Sequence, residues 1–370
     1  MAALLPAEAQ NLCIQIVTTA DGKPPRGVAI HYPATADQTY VMRRRLIAEP
    51  LLRRGIASIL VTPPFYGSRK PAAQAYHYTR SLLDFCLMTN GMIVEGWALV
   101  PWARAQPEFA GANVGLTGVS MGGAIAAVAA TLTAGPLAIA PCLATFSGAG
   151  VYSEGVLSSQ VAWRTFTREL GCTLAEAREH VKQVLNNNDI QSVIAAMSPL
   201  PNMGPRSCCM LNARDDKYVT AAEAQYLFTS LAPTCAPGDA TLSYLPGGHA
   251  TSVLLGAPHF VRTIVASFDM LEHRLAILQR AEALRAEVAA IATASAVRER
   301  AGVRAPPPAA DAAAEDLSLS VTTCSSAPAA GSAAGGSQVA LAGLPKADGA
   351  EGGGRGPSSE GPQSRLASKL

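Results

Sequence analysis

Residues 113–130, NVGLTGVSMGGAIAAVAA, limit the fold more than any other stretch. Asn113-Val114-Gly115-Leu116-Thr117 is short, apolar and uncharged, as a strand covered on both faces must be. Ala124 to Ala130 is a run of helix formers. Between them Gly118 and Gly122 bracket Ser120. Gly-x-Ser-x-Gly arises by accident about 0.2 times in a chain of this size and glycine content, so the pattern alone is weak. The setting gives it force. Strand, sharp turn and helix are what a nucleophile elbow needs. Side chains at positions 118 and 122 would strike the neighbouring helix and strand.

A serine hydroxyl is a poor nucleophile until a base takes its proton. The chain has six histidines. Only His249 stands in a turn directly after a plausible strand, Thr241–Leu245. His77 lies in a polar segment, His180 and His273 read as exposed helix positions, and His259 as a partly buried structural residue. The orienting acid should follow the preceding strand, Arg206–Ala213. Asp215 and Asp216 compete there, and the residues that follow favour Asp216. Ser120, Asp216, His249 is the chain order of α/β-hydrolases, not of the chymotrypsin or subtilisin types.

The rest of the pattern agrees. Strands at Gly27–Tyr32 and Gly55–Val61 alternate with helices at Met42–Arg54 and Leu82–Ala105. The expected fold class is therefore α/β, an α/β-hydrolase fold with a mostly parallel central sheet and helices on both faces. An oxyanion hole in such a fold takes one amide from the residue after the nucleophile, Met121, and one from the loop after the first long strand. Pro33 has no N–H, which leaves Ala34 or Thr35.

Five blocks, TPPFYGSRKP (62–71), VSMGG (119–123), PCLATFSGAGVYSEGVLS (141–158), DDKYV (215–219) and GGHAT (247–251), resemble the family of alpha/beta-hydrolase domain-containing protein 18. Their order and spacing agree over roughly residues 25 to 270. The resemblance implies a serine-hydrolase fold and carries the triad onto Ser120, Asp216 and His249. This chain departs from the family where members carry glycines in the turn after the first long strand; here Pro33-Ala34-Thr35-Ala36-Asp37 stands instead.

These residues lead us to expect a serine hydrolase that cleaves an acyl ester, of a lipid by preference, through an acyl-enzyme. Acyl transfer and thioester hydrolysis would use the same triad. An idle scaffold is disfavoured because all three residues are present. Arg69 and Lys70 follow a strand's carboxyl end, where ligands of open α/β sheets bind. They are expected either to engage an anionic head group or to fix the Tyr66-Gly67 loop by a salt bridge.

Catalytic-domain boundaries are expected at 1–270, with a helical cap inserted at about 147–205. Trp163, Phe166, Val181, Val184 and Leu185 would either form its apolar wall or pack only against the sheet. A long helix at 271–303 carries Leu271, Leu275, Leu278, Ala281, Leu284 and Val288 at helical spacing. It either packs back on its own domain or pairs with another chain. Residues 304–370 are mostly Ala, Gly, Pro and Ser and are expected to be disordered.

A net charge of +2 with dispersed basic residues points to no nucleic-acid partner. The clusters Arg43-Arg44-Arg45 and Arg53-Arg54 read as a solvated face or a peripheral membrane contact. Neither a metal-ligand cluster nor a cofactor motif is evident. The eight cysteines form no Cys-x-x-Cys pair and read as thiols of a reducing compartment. Ala124–Ala144 is nearly uncharged, but Gly135-Pro136 divides it, so no transmembrane span is expected, and no signal peptide. Ser368-Lys369-Leu370 is a peroxisomal import signal, which would make the import receptor a partner.

Overall fold

The computed structural model describes residues 4–75, 79–187, 189–196 and 203–300. The tail expected beyond residue 304, its Ser368-Lys369-Leu370 signal and His77 lie outside the described residues. Seven strands form one sheet: β1 (Cys13–Val17), β2 (Gly27–Tyr32), β3 (Ile56–Thr62), β4 (Asn113–Val119), β5 (Leu137–Cys142), β6 (Arg206–Ala213) and β7 (Ala240–Leu245), in the order β1-β3-β2-β4-β5-β6-β7. β1 runs antiparallel to β3; every other neighbouring pair is parallel.

The chain steps outward from β2 to β3, then returns to place β4 on the other side of β2. Connections from the two sides of such a reversal go to opposite faces of the sheet, which opens a crevice at the strands' carboxyl ends. The loop after β2 leads to α1 (Val41–Arg43), a π-helical stretch (Arg44–Ala48) and α2 (Glu49–Leu52). α3 (Leu82–Ala105) precedes β4, and α4 (Met121–Thr131) follows it. The basic helix expected over Met42–Arg54 is therefore broken by a wider turn.

β2, β3, β5 and β6 are buried along their whole length because helices cover both faces. On one face Val28, Ile30, Val61 and Leu116 share a core with α3 and α4. On the other, Ala29, Ile56 and Ala138 pack with Ile47, Leu51 and Phe268. α3 is long and apolar enough to cross a membrane, yet 61% of its most apolar window is buried in this core. The uncharged Ala124–Ala144 stretch divides into α4 and β5, as Gly135-Pro136 requires.

Between β5 and β6 the insertion forms α5 (Ala149–Ser153), α6 (Trp163–Leu170), α7 (Leu174–Asn187) and α8 (Ile190–Ala196). Phe166, Val181, Leu185 and Ile190 join the core of the α3–α4 face, so the insertion is an extension of that core and not a separate body. The last elements are α9 (Ala221–Leu231), α10 (His249–Leu255) and α11 (Ala257–Arg300). α11 starts well before the expected residue 271, because Phe260, Ile264, Phe268 and Leu271 lie buried against the sheet.

His31 on β2 is buried, with Nε2 3.1 Å from Ser58 Oγ. Burial, helped by the nearby Arg43 guanidinium, depresses its pKa to about 3. The unfolded chain takes up this proton near pH 6.5 and the native protein does not, so stability is full above that pH and falls as acid is added. Chemical denaturation of wild type and His31→Gln should show wild type losing more stability between pH 6.5 and 4.5, by about 1 kcal/mol per pH unit. Equal pH slopes for the two proteins would contradict this account of His31.

Candidate active site

Ser120 ends β4 with φ 58° and ψ −121°, a backbone conformation that L-residues avoid. Two close approaches hold it there. A Cβ on Gly118 would lie 2.4 Å from the Gly122 carbonyl carbon, and one on Gly122 would lie 2.5 Å from Tyr32 O at the end of β2. Only hydrogen fits at either position. The Ser120 N–H donates to Cys142 O on β5 at 2.9 Å, and Ala124 N–H to Ser120 O at 3.1 Å. The turn is thus tied to sheet and helix at once.

His249 is the first residue of α10, and its Nε2 stands 2.9 Å from Ser120 Oγ. Its Nδ1 is 2.6 Å from Asp216 Oδ2. An ionised carboxylate only accepts, so Nδ1 carries the hydrogen, and the Nε2 lone pair then faces the serine hydroxyl. Asp216 is itself fixed: Oδ1 accepts from Tyr218 N at 2.7 Å and Val219 N at 2.9 Å. The Tyr218 ring stacks on the imidazole at 4.8 Å and 15°. Asp216 and His249 are both buried, whereas Asp215 is exposed. Asp215 accepts from Gly247 N at 3.2 Å through its carboxylate, which joins the two loops without touching His249.

Met121 opens α4, and a first-turn N–H has no intrahelical acceptor. Across from it the loop after β2 is shaped without glycine. Ala36 takes φ 69° and donates its N–H to the Tyr66 hydroxyl at 3.2 Å. Thr35 Oγ1 lies 2.6 Å from the Tyr152 hydroxyl of α5. Two tyrosines from distant segments therefore brace a loop that carries no glycine. Thr35 lines the cavity at Ser120; Ala34 does not. Tyr66 and Tyr152 sit in the YGSRK and GAGVYSEG blocks, but nothing in the sequence reveals that both reach the same loop.

That cavity is ≈ 80 Å³ and mostly apolar, walled by Phe85 and Met88 of α3, Ile125 of α4, and Val151, Leu157 and Leu185 of the insertion. Of the expected wall, Leu185 lines it, while Trp163, Phe166, Val181 and Val184 do not. Phe166 and Val181 pack into the core instead. Among the described residues no group of three or more His, Cys, Asp or Glu is arranged to hold a metal ion.

Arg69 is not available to a ligand. Its side chain is fully buried and forms a bidentate pair with Glu95 of α3 at 2.5 and 2.8 Å. It also donates to Thr62 O and Ala9 O. Lys70 is half-buried and lines none of this cavity. Of the two roles expected of Arg69, the salt bridge is the one present, and it ties the Tyr66-Gly67 segment to Ala9 and to α3 in place of a head-group contact. Arg43 of the basic cluster is likewise buried, paired with Asp37 at 2.7 Å and donating to His31 O and Val61 O. Arg45, Arg53 and Arg54 remain exposed.

A strained serine between close-packed glycines, a buried histidine and a carboxylate on successive strand-end loops of a parallel sheet define an α/β-hydrolase. The chain belongs to the family described as alpha/beta hydrolase domain containing 18, whose model matches residues 1–199. Its fold is also similar to those of solved structures at low identity. One is a 2,6-dihydroxy-pseudo-oxynicotine hydrolase, at 16% identity over 70% of this chain and 64% of that one, with a TM-score of 0.47. Another is the acylaminoacyl peptidase of Pyrococcus horikoshii, at 10% over 69% and 38%, with a TM-score of 0.42. A third, ferulic-acid-bound Est1E from Butyrivibrio proteoclasticus, has 11% over 70% and 96%, with a TM-score of 0.43. The chain spans less than two thirds of the length of the first two.

Arg69→Met leaves Glu95 uncompensated in a nearly closed site. It should lower stability by about 3–5 kcal/mol, read by denaturant unfolding. The ratio of rates on anionic and neutral acyl esters should stay at the wild-type value. A changed ratio with unchanged stability would return Arg69 to the substrate.

Proposed function

We propose that the protein is a serine esterase that cleaves an acyl ester through a covalent acyl-enzyme on Ser120. The observation that carries this reading is the unbroken relay from Ser120 Oγ to His249 Nε2 at 2.9 Å and from His249 Nδ1 to Asp216 Oδ2 at 2.6 Å. His249 takes the hydroxyl proton as Oγ attacks the acyl carbon. Asp216 holds the imidazole in the required tautomer and stabilises the imidazolium that forms. The Met121 and Thr35 amides receive the negative charge that develops on the carbonyl oxygen. The alcohol leaves with the proton from His249. Water, activated by the same nitrogen, attacks the acyl carbon and frees Ser120.

The apolar cavity supports a hydrophobic acyl group. At ≈ 80 Å³ it fits the carbons next to the ester and not a whole lipid. A peripheral contact with a lipid surface is part of the same reading. Leu254 and Leu255 of α10 are 71% and 73% exposed, with Met42, Leu46 and Arg45 also turned to solvent. Where Leu370 ends the chain, Ser368-Lys369-Leu370 addresses the protein to the peroxisome.

Ser120→Ala should abolish hydrolysis of short p-nitrophenyl esters with the fold intact by circular dichroism. Asp216→Asn should lower kcat by about 10⁴, and Asp215→Asn should change it little. A greater loss at Asp215 would overturn the assignment of the acid. A fluorescent protein fused ahead of Met1 should enter peroxisomes, and deletion of Leu370 should leave it cytosolic. A diffuse intact fusion would refute the address.

A further inference from the structure

α11 has two halves with different fates. Phe260, Ile264, Phe268 and Leu271 are buried against the sheet, and Leu275 packs beside them. From Ala276 the helix continues with almost every residue exposed. Leu278 and Val297, 40% and 61% exposed, lie off the line that the other large apolar residues form. Ile277, Ala281, Leu284, Val288 and Ile291 follow one another at four, three, four and three, the alternation of a heptad seam. Ile277, Leu284, Val288 and Ile291 are 43%, 61%, 64% and 60% exposed. A seam this apolar, on a stretch of helix left exposed among the described residues, is a contact surface.

The charges beside the seam select the partner and its direction. Arg280 and Glu287 occupy equivalent flanking positions seven residues apart, and among the described residues neither forms an ion pair. In an antiparallel pair with a second copy, Ala281 can face the partner's Leu284, and Ile277 the partner's Val288. That register sets Arg280 against the partner's Glu287, twice by symmetry. Sliding one way by a heptad sets Glu287 against the partner's Glu287. Sliding the other way sets Arg280 against the partner's Arg280. A parallel pair would bring Arg280 to the partner's Arg285. Only one arrangement has both an apolar seam and matched charges.

We propose that the protein self-associates through residues 277–291 of α11, which form a short antiparallel two-helix coil with the same residues of a second copy. Small Ala281 lets the helices approach closely opposite Leu284. About two heptads make a modest interface, at the small end of specific contacts, so association is reversible. The overhang beyond the domain keeps the two catalytic units apart, so dimerisation leaves each Ser120 site free.

Sedimentation equilibrium of the full chain over a range of concentrations tests this. Wild type should fit a monomer–dimer equilibrium. Leu284→Arg should be monomeric, with unchanged unfolding because the residue supports no fold contact. Arg280→Glu and Glu287→Arg should each weaken the dimer roughly tenfold or more. The double variant Arg280→Glu/Glu287→Arg should restore wild-type association, since both pairs are reversed together. A monomeric wild type, or a dimer indifferent to Leu284→Arg, would overturn the surface. A double variant as weak as the singles would overturn the antiparallel register. Floating the full chain with phosphatidylcholine vesicles carrying phosphatidylglycerol gives the last check. Vesicle binding abolished by Leu284→Arg in a wild type that stays monomeric would assign the seam to lipid and end the proposal.

Discussion

The structure depends on one close approach. The first turn of α4 comes so near the ends of β2 and β4 that Gly122 faces Tyr32 O and Gly118 faces Gly122 with no room for a methyl group. That contact forces Ser120 into positive φ and points its side chain out of the sheet's carboxyl edge. It also sets α4's first N–H groups beside the loop after β2. Relaxing the contact by a few tenths of an ångström would return the serine to ordinary backbone geometry and lose its alignment with His249. The strain, on the order of 1–3 kcal/mol, is held by the buried strands on either side.

Around this turn the polar groups are ordered by burial. Asp216 has a buried carboxylate with every oxygen committed, one to two backbone amides and the other to His249. An aspartate left exposed one position earlier joins the same two loops from outside. The difference between the two neighbours is direction along the loop, not chemistry. The loop after β2 shows a second economy of means. Lacking glycine, it places Ala36 at positive φ with its N–H on the Tyr66 hydroxyl, while the Tyr152 hydroxyl holds the neighbouring Thr35.

Much of this could be read from the chain. The interior strands are apolar runs because both faces of the sheet are covered, and the turn around Ser120 carries its glycines openly. The misreadings have a common cause: partners distant in sequence. Arg69 looks like a free cation until Glu95, on a helix 26 residues later, is seen to neutralise it. Arg43 is disguised by half-buried Arg44 and exposed Arg45 beside it, while its own partner, Asp37, lies in the preceding loop. β1 carries no strong sequence signal because it is an edge strand, antiparallel and half-covered, so its residues lack a sustained apolar run. The leucine stripe of α11 begins only at Leu271, whereas its buried first turns are carried by Phe260, Ile264 and Phe268.

On the mechanism proposed above, the elbow presents the Ser120 hydroxyl to His249, and Ser120 is the residue that reacts with an acyl-like centre. Reaction of the native protein with a fluorophosphonate, followed by intact-mass analysis and peptide mapping, examines it directly. One adduct per chain, on Ser120 in the peptide that contains VSMGG, is the predicted result, and prior unfolding should prevent it. An adduct on another serine, or none on the folded protein, would contradict the account.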